Sequence, residues 1–176
     1  GFGKFVLINT RSRKTWWYSK CCWIIVTMAI INMIILSAIM IFGLITKASF
    51  SGEVSEYCIA ISNNKFDYYM YKSFHIGLKL VLPFFIMVAM SMLQMTISLV
   101  VKPNVSFMLT VTHIISAAFY KTPFLFSNYA MLLRNDAVVN NGLRAATGIL
   151  ISIIVTVSSM IIGSIVFSRY DILNRE

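Results

Sequence analysis

The chain has 176 residues, of which 59% are hydrophobic and only 12% are charged, and its mean hydropathy is +0.81. A soluble domain of this size needs more charged residues to cover its surface, so the composition excludes an ordinary soluble globular protein. The formal net charge is +9, but the basic residues lie between long apolar runs. This distribution is typical of the flanks of membrane spans and not of a nucleic-acid groove.

The first distinctive segment, LINTRSRKTWWYSK at residues 7–20, places basic residues around aromatic ones directly before an apolar run. Tryptophan and tyrosine concentrate at membrane interfaces, and Lys and Arg concentrate on the cytoplasmic flank. The alternative, nucleic-acid binding by residues 10–20, is disfavoured because the segment is short and leads straight into the apolar run. We therefore predict a membrane-interface anchor made of Trp16, Trp17, Tyr18, Lys20 and Trp23. The residues ahead of it, GFGKFVLIN, suit a short helix lying in the interface.

Four apolar runs have the length of membrane spans, at residues 22–46, 76–101, 105–121 and 146–168. They predict an all-α, polytopic helical membrane protein with a cytoplasmic segment at 1–20 and a transmembrane domain at 21–176. Residues 47–75 and 122–145 are then external loops, and residues 169–176 are a cytoplasmic tail. The density of basic residues in the short flanking segments favours cytoplasmic N- and C-termini. Because the chain begins with Gly1 and not Met, we also expect a fragment of a longer protein.

The last apolar run carries a stripe of small residues on one helix face, at spacings of three or four. The stripe consists of Gly148, Ser152, Thr156, Ser159 and Gly163. Small residues on one face permit close helix contact in lipid, which favours a subunit interface or a pathway lining. The alternative is ordinary packing between helices of the same chain.

The third apolar run carries a second, more polar stripe that includes Ser106, Thr110 and His113. An ionisable residue inside a membrane span indicates a functional role by default. The alternative is a neutral histidine that is hydrogen-bonded to a neighbouring helix.

Motifs of catalysis and of cofactor binding are missing from the sequence. It contains no GxxxxGK[ST], no HExxH and no GxSxG, and all six acidic residues lie in the predicted loops or the tail. The three cysteines, two of which are the adjacent Cys21 and Cys22, suggest neither a disulfide framework nor a metal site. We therefore predict no enzymatic activity, no metal and no cofactor for the chain itself.

The order of these parts resembles the C-terminal two-thirds of the permease subunit of a type-2 ABC exporter, of the bacterial antibiotic-peptide and multidrug kind. In that family a glycine, an apolar stretch, Ser and Arg residues and a Ser-Lys pair precede the third span. GFGKFVLINTRSRKTWWYSK is similar to this pattern, through Gly3, Leu7, Ile8, Thr10, Arg11, Ser12, Arg13, Ser19 and Lys20. The segment PFLFSNYAMLLRNDAVVNNGLRAATGI looks like the half-entering external segment that precedes the family's last span. The family has six spans, so its first two are missing here.

The resemblance implies an interfacial coupling helix that docks on a separate ABC ATPase subunit. The docking residues would be Phe2, Phe5, Val6, Leu7, Ile8, Arg11 and Arg13. ATP and Mg would be bound by that partner, and a second permease subunit, identical or not, would complete an exporter in the bacterial plasma membrane. The cargo would be an amphipathic peptide, antibiotic or lipid-like compound. The alternatives are a non-transporting helical membrane protein, acting as assembly partner or sensor, and an intramembrane enzyme.

Overall fold

The computed structural model describes residues 12–47, 76–131, 134–135 and 142–169. Regular structure in these ranges consists of helices α1 (Arg13–Ile45), α2 (Ile76–Ile97) and α3 (Pro103–Phe119), a short 3-10 helix (Phe126–Ala130), and helix α4 (Ala145–Arg169). These ranges hold no strand, only an isolated bridge between Asn135 and Leu143. The predicted all-α fold is confirmed for this part of the chain.

Two helices, α1 and α4, are long and apolar enough to cross a membrane. Helix α1 has 33 residues, and at about 1.5 Å per residue it exceeds a hydrocarbon core of about 30 Å. Two further apolar helical stretches, Val81–Ile97 within α2 and Pro103–Phe119, are too short to count as candidate spans. The described residues therefore support two spans by length and composition, and the four-span topology stays a prediction.

The start of α1 differs from the prediction. We placed a separate interfacial segment at residues 1–20 and the first span at 22–46, but the helix begins at Arg13 and continues without a break to Ile45. Residues 13–20 contain neither Gly nor Pro, so nothing in them interrupts a helix. Ser12, in an extended conformation with φ −148°, precedes the first turn. The predicted domain boundary at residue 20 thus falls inside one rigid helix.

A tight connection joins α2 to α3. The amide groups of Ser98 and Val101 donate to carbonyl oxygens of the last turn of α2, at Gln94 and Ile97. Pro103 then occupies the first turn of α3, where its missing N–H leaves no hydrogen bond unmade. Residues 98–102 are therefore the whole connection between the two helices.

Helices α2 and α4 run parallel to each other and form the centre of the bundle. Near their ends, the Thr96 hydroxyl donates to the Ser159 carbonyl oxygen at 3.1 Å. Near their starts, Leu82 and Ala145 belong to one buried cluster. Helix α1 runs the opposite way, because its early residue Trp17 packs against the late residue Phe167 of α4.

The buried side chains form two clusters, one toward each end of the bundle. We call the first the 3-10 cluster; it comprises Leu82, Ile86, Ala89, Met90, Phe126, Tyr129 and Ala145. We call the second the tryptophan cluster; it comprises Trp17, Cys21, Val88, Met92 and Phe167. Beyond Met28, most large apolar side chains of α1 are exposed, as in a helix that faces lipid.

Candidate functional site

Trp17 is the centre of the joint between α1 and α4. Its ring is 1% exposed, and its indole Nε1 donates to the carbonyl oxygen of Met160 at 3.0 Å. A Cβ atom added to Gly163 would lie 1.9 Å from the ring, so only glycine fits there. We predicted Trp17 as part of a membrane-interface anchor. The structure encloses its ring between helices, and its place at a membrane interface stays a prediction.

The other predicted anchor residues surround this joint. Tyr18 and Trp23 are 43% and 69% exposed. Trp16 is half-buried and stacks on Phe167, with ring centroids 4.9 Å apart and planes 12° from parallel. The ammonium group of Lys20 lies 5.2 Å from the Trp16 ring centroid, a cation-π distance. These four positions are compatible with the interface that we predicted.

The predicted ATPase-docking residues fall almost entirely outside the described ranges, namely Phe2, Phe5, Val6, Leu7, Ile8 and Arg11. Arg13 alone is described, as the first residue of α1. Its Nη1 lies 3.5 Å from the carbonyl oxygen of Ser168, near the end of α4. The last turn of α4 is thus in reach of the last residue of the predicted docking segment.

The small-residue stripe of α4 is buried inside the chain. Gly148, Ser152, Ser159 and Gly163 all face the bundle, and Thr156 is half-buried beside them. A Cβ atom added to Gly148 would lie 2.6 Å from the Cβ atom of Tyr129 in the 3-10 helix. The Oγ atom of Ser152 is buried and lacks a hydrogen-bond partner among the described residues. Of the two interpretations, close packing within one chain is the one that this arrangement favours.

The polar stripe of α3 faces the bundle, since Ser106 is buried and Thr110 and His113 are half-buried. The Ser106 hydroxyl, which is fully buried, donates to the carbonyl oxygen of Gln94 at 2.7 Å and ties the start of α3 to α2. Thr110 donates to its own helix, at Ser106. The His113 ring lies 4.8 Å from the ring of Phe126, and its buried Nε2 lacks a hydrogen-bond partner within the described ranges. The histidine therefore packs against the 3-10 helix and does not bond to a neighbouring helix through that atom.

The 3-10 helix fills the space between α2, α3 and α4. Phe126, Ser127, Asn128 and Tyr129 are all buried, although the segment lies in a predicted external loop. Its apolar side chains join the 3-10 cluster, where Phe126 and Tyr129 meet Leu82 and Ala145. A buried segment of irregular backbone needs hydrogen-bond partners within the protein, because unpaired buried backbone groups are costly.

Arg134 and Asn128 supply those partners at the end of α3. The Arg134 guanidinium donates to the carbonyl oxygens of Ala117 at 2.6 Å, Ala118 at 2.5 Å and Tyr120 at 3.0 Å, and also to Oδ1 of Asn128. The Asn128 amide group donates to the carbonyl oxygens of Tyr120 and Thr122, both at 2.9 Å. The last carbonyls of a helix have no partner in the helix itself, so Arg134 caps α3.

The sequence interpretation missed three residues of these contacts: Thr96, Asn128 and Arg134. Thr96 is an isolated hydroxyl in an apolar run, and no motif distinguishes it. Arg134 offered a weak signal, since it is a lone cation directly after the apolar residues MLL. A single charge in an apolar segment indicates a specific partner, but the sequence does not identify carbonyl groups as that partner.

Within the described ranges, no group of three His, Cys, Asp or Glu side chains is arranged to hold a metal ion. Comparisons with protein families, with characterised proteins and with solved structures found no match.

Proposed function

We propose that this chain is a membrane-spanning permease subunit of an ATP-driven type-2 ABC exporter, with its termini in the cytoplasm of a bacterium. A separate ATPase subunit would drive it, and it would move an amphipathic peptide, antibiotic or lipid-like compound outward. The proposal starts from the resemblance of the segments at residues 1–20 and 122–145 to the family's coupling helix and half-entering segment. The four-span topology and a second permease subunit are parts of the same proposal.

The observation that supports it best is the joint between the start of α1 and the end of α4. The predicted docking segment ends at Arg13, where α1 begins without a linker. Four residues later, Trp17 is fixed to α4 by its bond to Met160 and by its contact with Gly163. A displacement of the docking segment would therefore move α1 and α4 together. Such rigid-body motion of packed helices is how a conformational change at one end reaches the other.

The buried 3-10 helix is a second support. A half-entering segment is tolerated at membrane depth only where protein encloses it. Here Asn128 and Arg134 bond the backbone at the end of α3, while Tyr129 packs against Gly148 of α4. This arrangement fits the external segment that the resemblance implies.

The first experiment is a pull-down of the intact source protein in mild detergent, with mass spectrometry of the proteins that accompany it. We expect a soluble P-loop ATPase in about equal amount. The double substitution Phe5→Asp with Leu7→Asp should reduce the ATPase recovered about tenfold or more, because charges replace apolar side chains in the docking surface. Membrane insertion should be unchanged.

The matched control is Ser49→Asp with Ser51→Asp, which adds the same charges to the loop predicted on the opposite side. It should leave ATPase recovery at the wild-type level. Unchanged recovery in the Phe5→Asp, Leu7→Asp variant would contradict the assigned docking surface.

A non-transporting helical membrane protein is the second candidate. It is favoured by the use of the α4 stripe and of Ser106 for contacts within the chain, which leaves these residues no role as a pathway lining. An intact, folded protein that recovers no ATPase would support this candidate against the exporter.

A further inference from the structure

The start of α1 and the end of α4 together form a surface that is both basic and aromatic. On α1, Arg13, Trp16 and Lys20 recur at spacings of three and four residues, so they share one face. On α4, Phe167 stacks against Trp16. Arg169 ends the helix next to Ser168, whose carbonyl oxygen Arg13 contacts. We call the five residues Arg13, Trp16, Lys20, Phe167 and Arg169 the basic–aromatic end. Its three cationic side chains are exposed.

The two stacked rings of this end have cationic side chains beside them. Trp16 and Phe167 lie nearly parallel, and the Lys20 ammonium stands over the indole at 5.2 Å. Arg13 reaches across to the Ser168 carbonyl oxygen at 3.5 Å, so its guanidinium lies at the seam between the two helices. A guanidinium presents a planar fork of N–H donors that matches the oxygens of a phosphate group.

The excess of basic over acidic residues on this side of the bundle favours an anionic partner. The described ranges contain no Asp or Glu. On the predicted topology, this side of the bundle carries eight basic residues and only two acidic ones, Asp171 and Glu176 in the tail. Directly beyond Lys20, α1 becomes uncharged as far as Ile45. A cationic rim on apolar helices is suited to the headgroup layer of a bilayer, where indole rings also concentrate.

We propose that the basic–aromatic end binds the phosphate of an anionic phospholipid headgroup at the seam between α1 and α4. The inference requires only that the apolar helices lie in a bilayer, and it does not rest on the transport function. It assigns Arg13, Lys20 and Arg169 as the cations that hold the phosphate, and Trp16 as the ring beside the glycerol backbone.

Tryptophan fluorescence tests this directly, because all three tryptophans lie at residues 16–23. The full chain carrying Trp23→Phe is reconstituted in vesicles that mix phosphatidylglycerol with phosphatidylcholine, with one or the other brominated on its acyl chains. Trp17 is buried, so quenching by bromine reports mainly lipid beside Trp16. We expect phosphatidylglycerol to be preferred about fivefold or more, since each cation near the headgroups contributes about that factor.

The variant Arg13→Gln with Lys20→Gln should abolish most of this preference. Lys47→Gln, just beyond the far end of the same helix, is the matched control and should retain it. Arg169→Gln should lower the preference by itself, because the proposed site includes α4. A preference that survives in the Arg13→Gln, Lys20→Gln variant would overturn the proposal, and one unaltered in Arg169→Gln would overturn the two-helix site.

Inorganic phosphate separates a lipid site from a site for a soluble anion. At constant ionic strength, millimolar phosphate should leave the lipid preference intact. Its loss under those conditions would assign the site to free phosphate and overturn the lipid assignment. Equal quenching by the two brominated lipids in the parent protein would overturn it as well.

Discussion

Trp17 and Gly163 illustrate how two single residues fix the distance between two helices. The indole ring occupies the space that a side chain at position 163 would need. Its N–H donates a hydrogen bond to the carbonyl oxygen of Met160, three residues earlier on α4. A carbonyl oxygen inside a helix already accepts a hydrogen bond from the backbone N–H four residues later. Its second lone pair can accept another hydrogen bond, here from the indole N–H. The contact therefore combines close packing with a satisfied polar group.

Gly163→Leu should destabilise the bundle strongly. Even a Cβ atom would overlap the Trp17 ring at 1.9 Å, and overpacking of this kind typically costs about 1–3 kcal/mol. We expect a lower melting temperature in detergent, measured by the loss of monodisperse protein on heating. Ser158→Leu adds the same side chain at an exposed position of α4 and should melt like the wild type. Equal melting of both variants would contradict the role of the glycine.

The sequence predicts an interface position for these aromatic residues, but it does not predict the burial of Trp17. In a helix whose outer side faces lipid, both faces are apolar, so the periodicity of apolar residues does not reveal which face meets protein. Trp16, Trp17, Tyr18 and Trp23 look alike on that basis. The glycine at 163 was identified as part of a packing face, yet nothing in the sequence pairs it with a particular ring.

At the scale of elements, Arg134 joins the end of α3 to the segment that leads into α4. One guanidinium bonds three backbone carbonyls and the Asn128 side chain. These contacts fix where α3 ends and where the 3-10 helix begins. The segment that we predicted to half-enter the membrane contains a buried 3-10 helix, and the sequence did not reveal its anchoring by an arginine.

Arg134→Ala should loosen this element, because it removes the donor from three carbonyl groups at the end of α3, of which that of Ala117 is part-buried. An unpaired buried polar group costs about 1–3 kcal/mol. We expect faster proteolysis between α3 and α4 and a lower melting temperature. Arg134→Lys should restore little of the lost stability. The compact ammonium group of lysine cannot donate at the same time to several separated carbonyl oxygens, as the guanidinium fork does. Arg144→Ala, an exposed arginine close by, is the control. Resistance to protease equal to that of the wild type would contradict the capping role.

At the scale of the whole molecule, α1 is held by one end. Its first sixteen or so residues, from Arg13 to Met28, supply the contacts with α2 and α4, whereas the large apolar side chains beyond are mostly exposed. The tryptophan cluster therefore carries the attachment of α1 to the rest of the bundle. The all-α class and approximate helix positions were predictable, because long apolar runs must satisfy their backbone internally.

This attachment predicts that the chain still assembles when α1 is separated from the other helices. Residues 1–60 and 61–176, expressed together as two chains, should co-purify in mild detergent. Trp17→Ala should reduce the recovered complex about tenfold or more, since removing a buried Trp typically costs about 3–5 kcal/mol. Trp23→Ala removes an exposed ring from the same helix and should not reduce it. Recovery unaffected by Trp17→Ala would contradict the central role of the tryptophan cluster.

The parallel pairing of α2 and α4 also determines the order in which contacts form during synthesis of the chain. The hydrogen bond from Thr96 to the Ser159 carbonyl oxygen can form only after Ser159 has been synthesised, 63 residues later. At a synthesis rate of about 5–20 residues per second, that interval is roughly 3–13 s. During this time the α1–α2 pair exists, but the face of α2 around Ala89 and Met92 has no α4 to cover it. In a bilayer, lipid or an accessory protein would cover this face of α2 until α4 is synthesised.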